Sequence, residues 1–374
     1  METDAPSERS PAPLLAARPN EGPWVDIDLG GLCANFRLIR KSASTADVAA
    51  VVKCDGYGLG AAPIARALAR REQCRTFFVA YPHEGAALRA ALEDLAPEAA
   101  IYVFNGPAPD TIDRFKAAAL TPVLNSAEQA ALWVEACPGT PAALHIDTGM
   151  NRLGAPLAEV GAIAAQDGLN IALVMSHLAC SSDPAHPKNP VQRDLFIEAA
   201  KRFPQAKRSL SASGGALMDE SYHFDLVRPG VALYGGSPFD EDDPRLHPVA
   251  ALSARIIQIR NAAAGETVGY GATSTLERPS VIATVSLGYG DGFPRAASNR
   301  ATALIDGAHA RIAGRVSMDL ITLDATDLPA MPRIGEPALF FGPGLSIHEA
   351  ATACNTISYE LLTGLGGRVD RRYL

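Results

Sequence analysis

The sequence predicts an α/β chain in which a (β/α)8 barrel of the TIM type precedes a second, mostly β domain. Two observations predict this arrangement. Up to residue 246, eight short apolar runs alternate with alanine-rich helical stretches, and beyond residues 244–248 strand-like segments follow one another between Gly and Pro turns. Alternating strands and helices build a parallel sheet, and eight such repeats close a barrel. The predicted division is a flexible tail over 1–22, the barrel over 23–246 and the β domain over 247–374.

The elements follow from local periodicity. Residues 24–28 alternate like a strand, and Leu32, Phe36 and Ile39 then recur at helical spacing. Helical stretches are predicted at 61–71 and 84–95. The eight barrel strands are predicted at 48–52, 76–80, 100–104, 120–124, 142–146, 171–175, 208–212 and 224–227. Strands of the second domain are predicted at 249–260, 281–287, 302–305, 320–324 and 338–341.

Composition narrows the class of protein. A chain of 374 residues with 48% hydrophobic and 20% charged residues is typical of a globular protein, and its net charge of −8 disfavours a nucleic-acid partner. It contains no run of ~18 apolar residues, so we expect no membrane span. The six cysteines are scattered without a CxxC pair, which indicates reduced thiols and a cytoplasmic protein. The first twenty residues lack the apolar core of a signal peptide.

A lysine at the end of the first barrel strand is the first candidate for chemistry. Lys53 follows an apolar run in VVKCDGYGLG (51–60), at the mouth where barrels of this type place their sites. Partial burial lowers the pKa of an ammonium, which makes the amine a nucleophile for an aldehyde. Tyr57 lies on a glycine-rich turn suited to a phosphate. Taken alone, the segment also fits an ordinary strand-end lysine beside a glycine loop.

Further segments in order along the chain make the pattern specific. VVKCDGYGLG resembles the cofactor attachment motif of alanine racemases, and the other segments resemble motifs of that family in the same order. The resemblance covers nearly the whole chain except the tail. The segments are HIDTGMNRLG (145–154), MSHLA (175–179), SASGG (211–215), VRPGVALYG (227–235), VGYGAT (268–273), GRVSMD (314–319) and ISYE (357–360).

The resemblance implies that pyridoxal 5'-phosphate (PLP) is held as a Schiff base on Lys53. It implies that Arg228 faces the pyridine nitrogen and that His177 hydrogen-bonds this arginine. An always-charged guanidinium leaves that nitrogen unprotonated, which weakens the ring as an electron sink and disfavours side reactions. The residues implied to hold the phosphate are Tyr57, Ser213, Gly230, Val231 and Tyr359.

On the residues alone, Arg228 also fits a structural arginine before Pro229, and Ser213 fits plain turn chemistry. His177 also fits a core histidine or a metal ligand. Cys180, Asp183 and His186 lie near it, but their spacing matches no standard zinc pattern, so no metal is expected.

The resemblance also assigns substrate and base residues. Arg152 by its side chain and Met318 by its backbone match positions that bind the substrate carboxylate, with Asp319 beside them. Tyr270 matches a second catalytic base opposite Lys53. In the family that tyrosine reaches the cofactor of the partner subunit, which implies a homodimer with shared sites. Otherwise Arg152 fits a surface charge and Tyr270 a turn aromatic.

Three departures from the family pattern stand out. Cys54-Asp55-Gly56 and Leu59 vary the attachment motif, and Ala212 replaces a frequent asparagine. His145 occupies a position where many members carry a modified lysine, which leaves the orientation of Arg152 open. The predicted function is interconversion of L- and D-alanine by two bases. The alternatives are a PLP-dependent decarboxylase of the same architecture and a PLP-binding protein without turnover. Arg228 and Tyr270 disfavour the first, and the long second domain disfavours the second.

Overall fold

The computed structural model describes residues 22–374, so all but the last residue of the predicted tail lies outside the described residues. The described chain begins with strand β1 (Trp24–Ile27) and helix α1 (Leu29–Ser42). Asp28 caps this helix, because its carboxylate accepts hydrogen bonds from the backbone N–H groups of Gly30 at 2.8 Å and Gly31 at 2.9 Å. The helix buries the stripe of apolar residues that the sequence predicted for it.

Parallel strands form the first of the two large sheets. Neighbouring strands run from β3 through β4, β5, β6, β7 and β9 to β10, and β11 pairs in parallel with β2, the segment just before β3. The strands are β2 (Asp47–Val48), β3 (Ala50–Val51), β4 (Thr76–Val79), β5 (Ala100–Val103), β6 (Thr121–Leu124), β7 (Pro141–Asp147), β8 (Ala155–Pro156), β9 (Asn170–Met175), β10 (Lys207–Ser209) and β11 (Leu226–Val227).

Backbone hydrogen bonds join the two ends of this series. The N–H of Asp225 donates to the carbonyl of Arg208 at 3.0 Å, and the N–H of Arg228 donates to the carbonyl of Ser211 at 2.8 Å. The segment around β11 therefore bridges β10 and β2. Each of the eight runs predicted as a barrel strand contains a strand, and the TIM-type fold is confirmed.

Helices alternate with these strands. Helix α3 turns a buried face of Ile64, Ala65 and Leu68 towards the core, and the side chain of Ser126 caps α6 by accepting from the N–H of Gln129. The helices are α2 (Lys53–Tyr57), α3 (Ala61–Arg71), α4 (Pro82–Leu92), α5 (Ile112–Ala117), α6 (Ala127–Ala136), α7 (Val160–Ala164), α8 (Lys188–Ala200) and α9 (Ser213–Ala216).

The second region is mostly antiparallel. Its sheet has the order β15-β18-β17-β16-β19-β12-β1-β20, and β15 also pairs with the far end of β12. The long strand β12 serves both partners because its register shifts at two bulges, next to Leu252 and Ile256. The elements are β12 (Ala250–Ala262), β13 (Thr267–Val268), β14 (Ser274–Thr275), β15 (Ser280–Val285), β16 (Thr302–Ile305), β17 (Ala308–Ile312), β18 (Ile321–Asp324), β19 (Pro337–Phe341), α10 (Ile347–Ala353), α11 (Ser358–Thr363) and β20 (Asp370–Tyr373).

Two features of this region differ from the sequence prediction. Strand β17 is absent from the strands predicted above. It forms a hairpin with β16 through a two-residue turn of Asp306 and Gly307, both at positive φ, and this Asp-Gly turn signal is present in the sequence. Strand β1, placed in the barrel segment 23–246, pairs instead with β12 and β20 of the second sheet. Alternation of apolar and polar residues predicts a strand but not the strands with which it pairs, and for this reason β1 was assigned to the wrong sheet. The domain bounds themselves stay a prediction.

Within residues 22–374, no helix combines the length and the apolar character that a membrane crossing requires.

Candidate active site

A cavity of about 600 Å³ opens at the carboxyl ends of the barrel strands. This is the end where enzymes of this architecture carry their chemistry, and the volume lies in the range of small-ligand sites. Nine of the residues predicted from the sequence line this cavity: Lys53, Tyr57, Arg152, His177, Ser213, Arg228, Gly230, Val231 and Tyr359.

Lys53 enters the cavity just after β3, where the backbone turns sharply. Cys54, Asp55 and Gly56 all have positive φ, between 50° and 63°. Glu84 holds this turn, because its carboxylate accepts the N–H of Cys54 at 2.7 Å and also the N–H groups at the end of β4. Burial, and next the positive charge of Arg152, lower the pKa of Lys53. Both effects favour the neutral amine, the form that attacks an aldehyde or accepts a proton.

Arg228 is a buried cation at the base of the cavity, with 2% of its surface exposed. Its terminal nitrogens donate to the Ser209 carbonyl at 2.8 Å and the Ser176 carbonyl at 2.7 Å. Burial lowers its pKa to about 9, so the guanidinium stays charged at neutral pH. No carboxylate pairs with it among residues 22–374, and its Nε–H has no hydrogen-bond partner there. An acceptor that carries no proton, such as an unprotonated pyridine nitrogen, suits this donor.

His177 lies beside Arg228 without the expected hydrogen bond. Within the described part of the chain the two side chains form no such bond, and the terminal nitrogens of Arg228 donate to Ser209 and Ser176 instead. Burial, and next the charge of Arg228, hold the pKa of His177 well below its ordinary value. The imidazole is therefore neutral at physiological pH.

Hydroxyl donors gather at another part of the cavity wall. The Ser213 Oγ accepts the N–H of Gly230 at 2.9 Å and that of Ala232 at 3.2 Å, which leaves its own proton for a ligand. Burial raises the pKa of Tyr57, and burial raises the pKa of Tyr359 to about 12. Both phenols are therefore protonated and able to donate.

Gly230 leaves the space that Tyr57 occupies. A Cβ at Gly230 would lie 2.1 Å from the Tyr57 hydroxyl oxygen. The Tyr57 ring stacks on Tyr234 with ring centroids 4.6 Å apart, and the Tyr234 hydroxyl donates to the Val51 carbonyl at 2.9 Å. The tyrosine hydroxyl thus lies against Gly230.

These donors match a phosphorylated pyridine aldehyde. The amine of Lys53 suits the aldehyde, the unpaired Nε–H of Arg228 suits a ring nitrogen, and the hydroxyls of Tyr57, Ser213 and Tyr359 suit a phosphate dianion. The residues present therefore fit PLP. Among residues 22–374, no cluster of three or more His, Cys, Asp or Glu side chains is arranged to hold a metal ion.

The loop after β7 carries Arg152 to the rim of the cavity. The carboxylate of Asp147 accepts the N–H groups of Gly149, Met150 and Asn151, each at 2.8 Å, and so shapes this loop. Arg152 is exposed and lines the cavity with its cation. A planar guanidinium there suits a carboxylate ligand.

Three predicted residues lie elsewhere. Tyr270 is 73% exposed and lines a second cavity of about 580 Å³ in the β region, together with Arg315 and Ser317. Met318 is 54% exposed, and its carbonyl accepts the N–H of Gly290 at 2.8 Å. Asp319 accepts from Arg368 at 2.8 Å. A single chain therefore does not bring Tyr270, Met318 and Asp319 to the cavity that holds Lys53.

Sequence reasoning missed three residues that support the site. Glu84 three residues after Tyr81, with Pro82 between them, is a helix-start signal whose glutamate also reaches Cys54. Asn125 directly follows β6 at the catalytic end of the barrel and contacts His145, so its place after a strand was a usable signal. Tyr234 carries no comparable signal, because its stacking depends on the fold.

Comparison with known proteins agrees with this geometry. The family model described as the alanine racemase N-terminal domain matches residues 27–238, and the model for the alanine racemase C-terminal domain matches residues 249–373.

Relatives match over nearly the full length. An alanine racemase of Methylobacterium nodulans is 42% identical over 96% of this chain and 98% of its own. A catabolic alanine racemase of Agrobacterium fabrum is 43% identical over 94% of this chain and 92% of its own. The crystal structure of the Bartonella henselae alanine racemase, with covalently bound pyridoxal phosphate, has a TM-score of 0.88 and 35% identity. It covers 94% of this chain and 99% of its own.

Proposed function

Because the chain belongs to the alanine racemase family, we propose that Lys53 and Tyr270 are the two bases with which it interconverts L- and D-alanine. Lys53 carries the PLP of its own subunit, and Tyr270 acts on the site of a partner copy. The observation that carries this proposal is the split of the site residues. The cavity with Lys53 contains the cofactor residues, whereas Tyr270 is exposed on the other region and lines a different cavity.

The cofactor, when bound, withdraws electrons from the α-carbon of the amino acid and so acidifies its α-proton. Lys53 Nζ, with its lowered pKa, accepts or returns that proton on one face. Arg228 stays charged and buried, which keeps the ring nitrogen unprotonated and limits side reactions. Tyr57, Ser213 and Tyr359 hold the phosphate by their hydroxyls, with the backbone of Gly230 and Val231 beside them.

The substrate carboxylate binds Arg152 on the same chain and the backbone of Met318 from the partner, beside Asp319. Arg152 also supplies the positive charge that a phenolate at Tyr270 requires, since an ordinary tyrosine has a pKa of about 10. His177 stays neutral beside Arg228 and adds no charge to the ring.

A homodimer follows from this assignment, because one chain supplies Lys53 and the other supplies Tyr270. The exposed Tyr270 and Met318 are then covered by the partner subunit. We propose a cytoplasmic enzyme, which agrees with six cysteines that are all unpaired in the structure.

The proposal is tested by incubating the purified protein with each enantiomer of alanine and of serine. We expect each enantiomer of alanine to convert into an equal mixture of both. Serine should also react, but more slowly, since one added hydroxyl group changes discrimination between substrates only modestly. Lys53→Ala should abolish conversion and the borohydride-stable cofactor adduct at residue 53. Release of carbon dioxide from alanine would instead identify a decarboxylase, and bound PLP without turnover of either amino acid would identify a carrier.

A further inference from the structure

Residues 53–60, the attachment turn, pass through the left-handed region of the backbone map just after β3. Cys54, Asp55 and Tyr57 have φ values of 55°, 50° and 57°, and the three glycines of the turn are also at positive φ. Residues with a side chain rarely adopt this conformation, and they keep it only where the surrounding structure holds them there. The position of Lys53 therefore depends on groups that hold this turn from outside.

Strand β20, at the end of the β region, reaches the attachment turn within the same chain. The Arg371 guanidinium donates to the Gly58 carbonyl twice, from Nε at 3.1 Å and from a terminal nitrogen at 3.0 Å. The Tyr373 hydroxyl donates to the Leu59 carbonyl at 3.0 Å. Positions 371 and 373 lie on the same face of the strand, because side chains alternate along it. One strand thus holds two consecutive carbonyls of the turn.

The Arg371 side chain is itself fixed by the backbone that precedes it. Its terminal nitrogens donate to the carbonyls of Gly366 at 2.7 Å, Val369 at 2.6 Å and Leu365 at 2.9 Å. Within residues 22–374, the hydrogen bonds of this guanidinium all go to backbone carbonyls. A guanidinium presents its five N–H donors in a rigid fork, so it can join two backbone segments at a fixed separation.

Close packing leaves little room for the attachment turn to shift towards the β region. A Cβ at Gly60 would lie 2.2 Å from the Tyr373 hydroxyl oxygen, and a Cβ at Gly58 would lie 2.4 Å from the Leu362 carbonyl oxygen of α11. The same helix carries Tyr359, which lines the cavity. The turn is therefore enclosed by β20 and α11.

We propose that Arg371 and Tyr373 are positioning residues, which hold the attachment turn in the form that binds PLP. The groups placed in this way are the amine of Lys53 and the phenol of Tyr57, and the inference rests on the proposed assignment of both to the cofactor. Without the bonds from β20 the turn can relax out of the left-handed region, and the amine and the phenol lose their common orientation. The end of the β region then serves the site of its own chain, whereas Tyr270 serves the site of a partner copy.

Three variants of the full-length protein separate this role from a general effect on stability. Arg371→Gln removes the fork, and Tyr373→Phe removes one hydroxyl. Arg372→Gln is the matched control, because its side chain leaves the opposite face of β20 and contacts Trp24 and Asp370. For each apoprotein we measure the dissociation constant of PLP by visible absorbance. We expect about tenfold weaker binding in Arg371→Gln, about threefold weaker binding in Tyr373→Phe and no change in Arg372→Gln.

Amide hydrogen exchange tests the turn without cofactor or turnover. The amides of Gly56, Gly58 and Gly60 donate to the carbonyls of Val52, Cys54 and Asp55, so their exchange requires the turn to open. In the apoprotein, Arg371→Gln should speed the exchange of these three amides about tenfold and leave the amides of β4 unchanged. A loss of global stability would instead accelerate both sets.

Equal PLP binding in Arg371→Gln and Arg372→Gln, or unchanged exchange at the three glycines, would overturn the inference. If Arg371→Gln does not fold, Tyr373→Phe decides by the same two measurements. The assignment of the cofactor amine is tested separately by Lys53→Ala. If that variant still forms a borohydride-stable adduct at another residue, the proposed function fails, while the exchange of the turn still decides whether Arg371 holds it.

Discussion

Replacing Gly230 with alanine tests how tightly the phosphate end of the cavity is built. The φ of Gly230 is −122°, outside the left-handed region, and the methyl group that the variant adds would meet the side chain of Tyr57. That Cβ would lie 2.1 Å from the Tyr57 hydroxyl oxygen, more than 1 Å inside ordinary contact. Tyr57 is buried and stacked on Tyr234, so little free space surrounds it. The added methyl group must therefore displace the phenol from the position where it would bind the phosphate.

The magnitude follows from the hydrogen bond that is lost. A hydrogen bond to a charged group contributes about 1.5–3 kcal/mol, which corresponds to about a 10- to 150-fold weaker affinity for PLP. The assay is titration of the apoprotein with PLP, followed by visible absorbance. Tyr57→Phe should weaken binding to a similar degree, and the double variant should be little worse than either single variant, since both remove one contact. Gly367→Ala is the matched control, because its Cβ meets nothing within 4 Å. Unchanged affinity in Gly230→Ala, or additive losses in the double variant, would refute this description of the phosphate site.

Three further predictions concern other parts of the molecule. Because the pKa of His145 is lowered from 6.5 to about 4, the unfolded chain takes up a proton that the folded one does not. The contribution of His145 to the free energy of unfolding is therefore fully present above pH 6.5 and is lost as the pH falls towards 4. At pH 5 the loss is about 2 kcal/mol. Urea unfolding of the apoprotein at pH 5 and 7 should show a smaller acid loss in His145→Gln, and an identical loss would contradict the reasoning. Mixing inactive Lys53→Ala chains with inactive Tyr270→Phe chains should restore part of the activity through hybrid sites. If no activity returns although the subunits are shown to exchange, shared sites are excluded. Arg368 joins the loop of Met318 to the rest of the β region. The Arg368→Gln variant should therefore raise KM for alanine several-fold and leave the cofactor absorbance unchanged. An unaltered KM would show that this link does not contribute to substrate binding.

The sequence predicted the barrel because strand and helix periodicities are local properties that sum to one topology. Lys53 and Arg228 were identified because each follows a barrel strand in a motif of the family. The place of β1 was not predictable, since its partners β12 and β20 lie far along the chain and nothing in residues 24–28 names them.

The site was harder to predict where it depends on contacts between distant segments. The link from Glu84 to the backbone of Cys54 and the contact between Asn125 and His145 join different βα units, so no single motif contains them. The sequence left the orientation of Arg152 open at His145. In the structure the side chain at that position is a buried imidazole that contacts the amide of Asn125.

Two bases on opposite faces are the central claim, and α-proton exchange in heavy water tests it most directly. The Tyr270→Phe variant should retain its cofactor on Lys53 and nearly lose racemisation. Incubated in heavy water with each enantiomer of alanine separately, it should incorporate deuterium at the α-carbon of recovered D-alanine only, because Lys53 serves that enantiomer and Tyr270 serves the other. The original chain should label the product in both directions. Equal incorporation into D- and L-alanine by Tyr270→Phe would mean that one base, or a mobile water, serves both faces, and it would contradict the role of Tyr270.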